Sequence, residues 1–207
     1  MDPARHRLAI AARRAAFLTV PAPERDAWLD RAWDAGELPD DNPALPRGSV
    51  PYLPCPASTV LEAVRLTEVT AEDVFVDIGA GLGRAAALVH LLTGAGCIGI
   101  EIQPTLVRAA RGRAEWRGLD RVRFLEGDAA TWVRWVMVGT VFFLYCPFGA
   151  GHLERFLDGL EEVARTRPIR VCCVGMGPIA RPWLTEVAGA EDLVVYRGFA
   201  GASVRVR

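Results

Sequence analysis

Apolar and polar positions change rhythm near residue 70 of this chain. Before that point the apolar residues recur at helical spacing. Residues 4–18 read as a helix with Arg5, Arg7, Arg13 and Arg14 on or near one face, and "PERDAWLDRAWDAG" (23–36) reads as a second, packing through Trp28 and Trp33. "ELPDDNPALPRGSVPYLPCP" (37–56) is dense in proline and turn formers, so it reads as a linker or a loop lying over something. "ASTVLEAVRLTEV" (57–69) is helical again, with Ser58 or Thr59 as its N-cap. Then short apolar runs begin, at 73–78, 97–101, 121–126, 141–146, 169–175 and 192–197, with helical stretches at 82–93, 104–117, 149–166 and 178–188 between most of them. Such alternation predicts an α/β fold: a mainly parallel sheet with helices on both faces. The tail, "LVVYRGFAGASVRVR", holds two strand-like runs separated by a short glycine-containing turn, which predicts a hairpin and an antiparallel last strand, seven strands in all. Residues 57–207 are expected to form this domain. Residues 1–56, with too few apolar side chains for a core of their own, are expected to form a helical cover and proline-rich link over the carboxyl edge of the sheet.

Composition narrows the chemistry. A chain of 207 residues fits one domain, and a net charge of -1 gives no global reason to expect nucleic acid or membrane as partner. No lysine occurs; all 24 basic residues are arginine, which excludes a Schiff-base, P-loop or general-base lysine. The cysteines are Cys55, Cys97, Cys146, Cys172 and Cys173, an odd number with no C-x-x-C pair, and Cys97, Cys172 and Cys173 lie in apolar runs that read as buried strands. Buried free thiols in a reducing cytoplasm are expected, and no metal site. The N-terminus carries arginines through its apolar region rather than a signal-peptide pattern, and no apolar run is long enough to span a bilayer.

The stretch that carries chemistry is "VFVDIGAGLGRAA" (74–86), where a strand ends and a helix begins. Ligands of parallel sheets bind at such turns, where missing side chains let them approach the backbone and the helix end offers N–H groups. A nicotinamide or flavin fingerprint, G-x-G-x-x-G, fails because Arg84 occupies the last glycine position. What stands is D-x-G-x-G-x-G, with Asp77 before Gly79, Ala80, Gly81 and Gly83. A carboxylate there repels a pyrophosphate and suits an ammonium group.

"VDIGAGLG" resembles motif I of the class I S-adenosylmethionine-dependent methyltransferases, and the resemblance extends from about residue 52 to the C-terminus. "GCIGIEIQP" (96–104) resembles their second element, a strand ending in an acid, here Glu101 followed by Ile102. "VRFLEGDAATW" (122–132) resembles the third, with Asp128 and Ala129, and "VFFLYCPFG" (141–149) stands where amino-group methylases carry (Asn/Asp)-Pro-Pro-(Tyr/Phe). The resemblance implies a Rossmann-like sheet, S-adenosylmethionine as cofactor, Glu101 on its ribose hydroxyls, Asp128 on its adenine amino group with neighbouring backbone and apolar groups around the ring, and Tyr52 covering it. The whole frame is similar to a bacterial group of small methyltransferases that usually read Leu-Tyr-Asn-Pro-Phe and are distantly like the Dot1-type catalytic domain.

This chain departs from that group at Cys146, where they have asparagine. A thiol is a poor acceptor and does not hold a substrate N–H as an asparagine carbonyl does. Cys146 therefore packs, marks an oxygen or carbon acceptor, or belongs to a site that binds the cofactor without turnover. Tyr145, Cys146, Pro147 and Phe148 are expected at the methyl-transfer site. His152 is the histidine placed to face an acceptor; His90 falls within a helix and reads as packing or surface, and His6 as solvated. Direct displacement from a sulfonium needs alignment and desolvation more than a catalytic signature. The leading expectation is a methyltransferase acting on an unidentified small molecule or protein. The alternatives are a non-catalytic S-adenosylmethionine-binding protein and an NAD(P)-dependent oxidoreductase.

Overall fold

Strand β1 (Val74–Ile78) lies in the interior of a seven-stranded sheet and brings the glycine-rich turn to the sheet's carboxyl edge. The computed structural model describes residues 3–33, 51–146 and 150–199. Helix α1 (Pro3–Thr19), a short 3-10 turn (Ala22–Glu24), α2 (Arg25–Trp33) and α3 (Ala57–Thr67) precede β1. Then follow α4 (Arg84–Thr93), β2 (Gly96–Glu101), α5 (Pro104–Trp116), β3 (Val122–Glu126), α6 (Ala129–Trp132) running into a 3-10 turn (Val133–Trp135), β4 (Val141–Tyr145) and α7 (Ala150–Thr166). Strands β5 (Ile169–Val174), β6 (Leu184–Ala190) and β7 (Leu193–Gly198) complete the elements of the described residues.

The sheet order is β3-β2-β1-β4-β5-β7-β6. β1 pairs with β2 and β4, β2 with β3, and β4 with β5, all parallel; β7 runs antiparallel to both β5 and β6. This is the expected Rossmann-like arrangement with its antiparallel last strand. Chain order reverses between β1 and β4, the switch point at which such sheets take ligands. Residues that alternate along the strands feed two cores. Phe75, Val141, Phe143 and Cys172 pack beneath α3, α4 and α5; Val76, Phe142, Leu144 and Val171 face the side of α6 and α7. Helix α7 buries Phe156, Leu157, Leu160, Val163 and Ala164, a spacing that fits one helical face.

Helix α4 is buried nearly all round, Arg84 through His90, because α1 lies over it. Phe17 of α1, and Leu29 and Trp33 of α2, belong to the same core as Phe75 and Val89. His90 is buried, with Nδ1 2.7 Å from the Ala95 carbonyl oxygen, the packing role expected of it.

Three expectations change. No helix forms at 178–188: this stretch holds Pro178 and Pro182, which lack the donor a helix needs, and its later part is the edge strand β6. The hairpin is therefore β6–β7, turning at Glu191 and Asp192 with Glu191 at φ 49°, one hairpin earlier than expected. The second tail run (203–207) lies outside the described residues. At α3 the N-cap is Pro56, not Ser58 or Thr59, and the Ala57 amide donates to Asp26 Oδ1 of α2 at 2.8 Å. Among the described residues no helix is long and apolar enough to cross a membrane.

Candidate active site

Four consecutive strand ends meet in one pocket. β1 contributes Gly79, β2 Glu101 with Ile102 and Gln103, β3 Gly127, Asp128 and Ala129, and β4 Tyr145 and Cys146. His152 enters from the first turn of α7, and Pro51, Tyr52 and Leu53 from the segment before α3.

Glu101 joins the strand ends. Its Oε2 accepts the Gly81 amide and its Oε1 the Gln103 amide, both at 2.8 Å, while its backbone carbonyl accepts from Gly127 at 2.9 Å. The buried carboxylate thus fixes the glycine turn of β1 and the exit of β2 at once. Asp77 is buried beneath the turn; its Oδ2 has no hydrogen-bond partner among the described residues. Burial first, and then the Glu101 charge, push its carboxyl up from 3.8 to about 7, partly opposed by a backbone hydrogen bond from Ala86. At the third strand end, Asp128 Oδ1 accepts the Ala130 amide at 2.9 Å, capping α6, and the residue remains on the pocket wall.

The glycines make room for side chains of the protein itself. A Cβ on Gly81 would stand 2.3 Å from Cε2 of Tyr52, whose ring lies over the turn. A Cβ on Gly83 would stand 2.2 Å from Cζ of Phe124, and one on Gly99 2.5 Å from Cδ1 of the same ring. Gly83 therefore accommodates β3, whereas the sequence pattern reads it as space for a ligand. Ala80 is buried, donating its amide to the Ile100 carbonyl at 3.0 Å, and its Cβ bounds Gly99. Arg84 faces away from the pocket, ion-paired with Asp26 at 2.6 Å and with Asp30.

Cys146 adopts φ 44° at the end of β4. Its thiol donates toward the Val174 carbonyl at 3.1 Å and the Gly175 carbonyl at 3.5 Å, filling the notch left by the missing side chain of Gly175. Pro147 and Phe148 lie outside the described residues, as does the His6 side chain. All five cysteines are free; burial raises the thiols of Cys55, Cys97 and Cys172, and pushes Cys173 up to about 12.

The structure thus brings Tyr52, Gly79, Glu101, Ile102, Asp128, Ala129, Tyr145, Cys146 and His152 to one pocket, with Asp77, Ala80, Gly81 and Gly83 in the turn beneath or beside it. Sequence reasoning missed Gln103, although it follows Glu101 by two residues and N-caps α5, and it missed the contact from Trp33 Nε1 to the Leu82 carbonyl at 2.9 Å. Carboxylates at three adjacent strand ends, with Arg84 turned away, oppose a pyrophosphate. They suit a cationic ligand that can donate hydrogen bonds.

That donor set and this sheet define a class I S-adenosylmethionine-dependent methyltransferase. Residues 15–134 match the family described as protein-L-isoaspartate(D-aspartate) O-methyltransferase (PCMT), and the chain belongs to it. The fold is similar to an RNA methyltransferase from Salinibacter ruber in complex with S-adenosyl-L-homocysteine, at 27% identity and TM-score 0.55, over 75% of this chain and 98% of that one. It is also similar to yhhF from Escherichia coli, itself assigned as a methyltransferase, at 17% identity and TM-score 0.58, over 73% and 90% of the two chains. A third likeness is to precorrin-6y C5,15-methyltransferase from Geobacter metallireducens, at 14% identity and TM-score 0.51, over 74% and 93%. Among curated proteins, none matches the sequence at a significant level.

Proposed function

We propose that this methyltransferase passes its methyl group by direct displacement to a small-molecule or protein acceptor entering beside Tyr145, Cys146 and His152. The observation that carries the reading is the convergence of four strand ends on one pocket, two of which, β1 and β2, the Glu101 carboxylate ties together. Glu101 would hold the ribose hydroxyls of S-adenosylmethionine, Asp128 the adenine amino group beside Ile102 and Ala129, and Asp77 with the Gly79–Gly83 turn the ammonium end. Tyr52 closes the site from above. Bound there, the cofactor supplies an electrophilic methyl on a sulfonium leaving group. The protein's part is then to align the acceptor and exclude water.

The thiol of Cys146 is engaged by β5, so alignment falls to backbone and to neighbouring rings. That arrangement supports an oxygen acceptor over an amine held through an asparagine-like carbonyl. The family's description makes a protein carboxylate the first acceptor to try. The setting we assign is the cytoplasm, where five free thiols persist.

The test is transfer of a tritiated methyl into fractionated lysate, scored separately for small molecules, proteins and RNA, alongside an isoaspartyl peptide. Label in protein or small molecules is expected. Label confined to RNA would contradict the acceptor class, and cofactor binding with no label in any pool would favour a binding protein without turnover.

A further inference from the structure

The glycine turn is held from two sides, and only one of them is the sheet. On the β2 side, the Gly79 and Ala80 amides donate to the Ile100 carbonyl at 2.9 and 3.0 Å, and the Gly81 amide to Glu101. On the other side stands α2. Trp33, buried, donates its indole N–H to the Leu82 carbonyl at 2.9 Å, while the Gly83 amide donates to the Ala80 carbonyl at 2.7 Å. The Leu82–Gly83 peptide is planar, so a bond at each end fixes its tilt within the turn. This matters because Gly79, Gly81 and Gly83 all sit at positive φ, and glycine loses more conformational freedom on ordering than any other residue.

The same helix neutralises the residue that follows. Arg84 begins α4 and is buried, so its guanidinium stands at the positive end of a helix. That placement is unfavourable without opposing charge. Asp26 and Asp30, one turn apart on α2, supply it. Asp26 Oδ1 also accepts the Ala57 amide at 2.8 Å, five residues past Tyr52. One helix thereby braces the turn and the base of the segment whose tyrosine ring covers that turn.

We infer that α2 is a clamp on the cofactor site, in which Trp33, Asp26 and Asp30 are positioning residues that hold the glycine turn ready for S-adenosylmethionine. The inference rests on the reading that the cofactor lies on this turn. Packing alone would need the Trp33 ring but not its N–H, and it would need no carboxylates. The two roles therefore separate experimentally.

The experiment measures S-adenosylhomocysteine affinity by calorimetry, thermal melting, and amide hydrogen exchange of residues 79–84 in the ligand-free full chain. Trp33→Phe and the double variant Asp26→Asn/Asp30→Asn are compared with Trp28→Phe, which alters the same helix at a ring that packs on Phe17 at 5.4 Å. Glu101→Ala is the reference for the site itself. The clamp predicts that Trp33→Phe and the double variant each weaken binding by about fivefold, the scale of one lost hydrogen bond, and speed exchange in the turn. Trp28→Phe should lower the melting temperature with affinity and turn exchange unchanged. If the α2 variants only melt earlier while Glu101→Ala loses binding, the clamp is overturned and the site stands. If Glu101→Ala also binds as the parent does, the cofactor lies elsewhere and both readings fall. Should Trp33→Phe fail to fold, the double variant, whose carboxylates are about half exposed, decides alone.

Discussion

Asp77 is a carboxyl group kept under the turn by burial, and its titration carries the first prediction. Its folded value, about 7, lies above its unfolded value of 3.8. Between those values the folded chain retains a proton that the unfolded chain has released, so stability of the ligand-free protein falls as pH rises through that window. A cationic ligand favours the carboxylate, so cofactor affinity should rise from about pH 6 to about pH 8 with proton release. Calorimetry in buffers of different ionisation heat checks this; Asp77→Asn should flatten the profile, and a flat parent profile would contradict the assignment. Gly83 offers a test of packing. Gly83→Ala at φ 78° places a Cβ against Phe124 and should cost on the order of 3 kcal/mol in denaturant unfolding, with Phe124→Leu restoring part of it. Cys146 tests the acceptor side. Serine can donate to the Val174 and Gly175 carbonyls as the thiol does, so Cys146→Ser should leave kcat/KM nearly unchanged. Asparagine tolerates positive φ and presents an amide, so Cys146→Asn should shift preference toward amine acceptors, measured on one native acceptor and its amine analogue.

At the scale of elements, the sequence shows the strands because parallel strands buried on both faces read as unbroken apolar runs. β1, β3, β4 and β5 fall within the runs expected of them, and β2 and β7 overrun theirs by one residue each, Gly96 and Gly198. β6 was hidden because it is an edge strand. Its burial is slight, a bulge interrupts its register between Glu186 and Ala188, and Leu184 and Val187 stand at helical spacing. Pro182 was the signal that a helix could not run there. The N-terminal helices were legible as helices, but their docking was not. Nothing in the spacing of Asp26, Asp30 and Trp33 shows that all three reach a turn about fifty residues away. A chain starting near residue 57 should keep the sheet, which later residues build, and lose activity. Without Phe17, Leu29 and Trp33 it should also melt well below the full chain in circular dichroism. A truncated protein with full activity and an unchanged melting temperature would overturn the role given to residues 1–56.

The molecule as a whole opens its pocket where chain order reverses, and the alternation of strands and helices, with the glycine turn located, points to that place. The turn and the acids at three strand ends were legible because carboxylates among apolar strand residues stand out. The glycines' occupants were not. Whether a missing Cβ serves a ligand or a neighbouring ring depends on contacts such as Phe124 with Gly83 and Tyr52 with Gly81, which join residues far apart in sequence. The central claim is that Glu101 ties the turn to β2 and receives the cofactor there. Calorimetric titration of S-adenosylhomocysteine into the parent and Glu101→Ala tests it most directly. One site per chain is expected in the parent and a loss of about 2 kcal/mol, roughly thirtyfold, in the variant, as when a charged acceptor is removed. Equal affinity in the two proteins would contradict it.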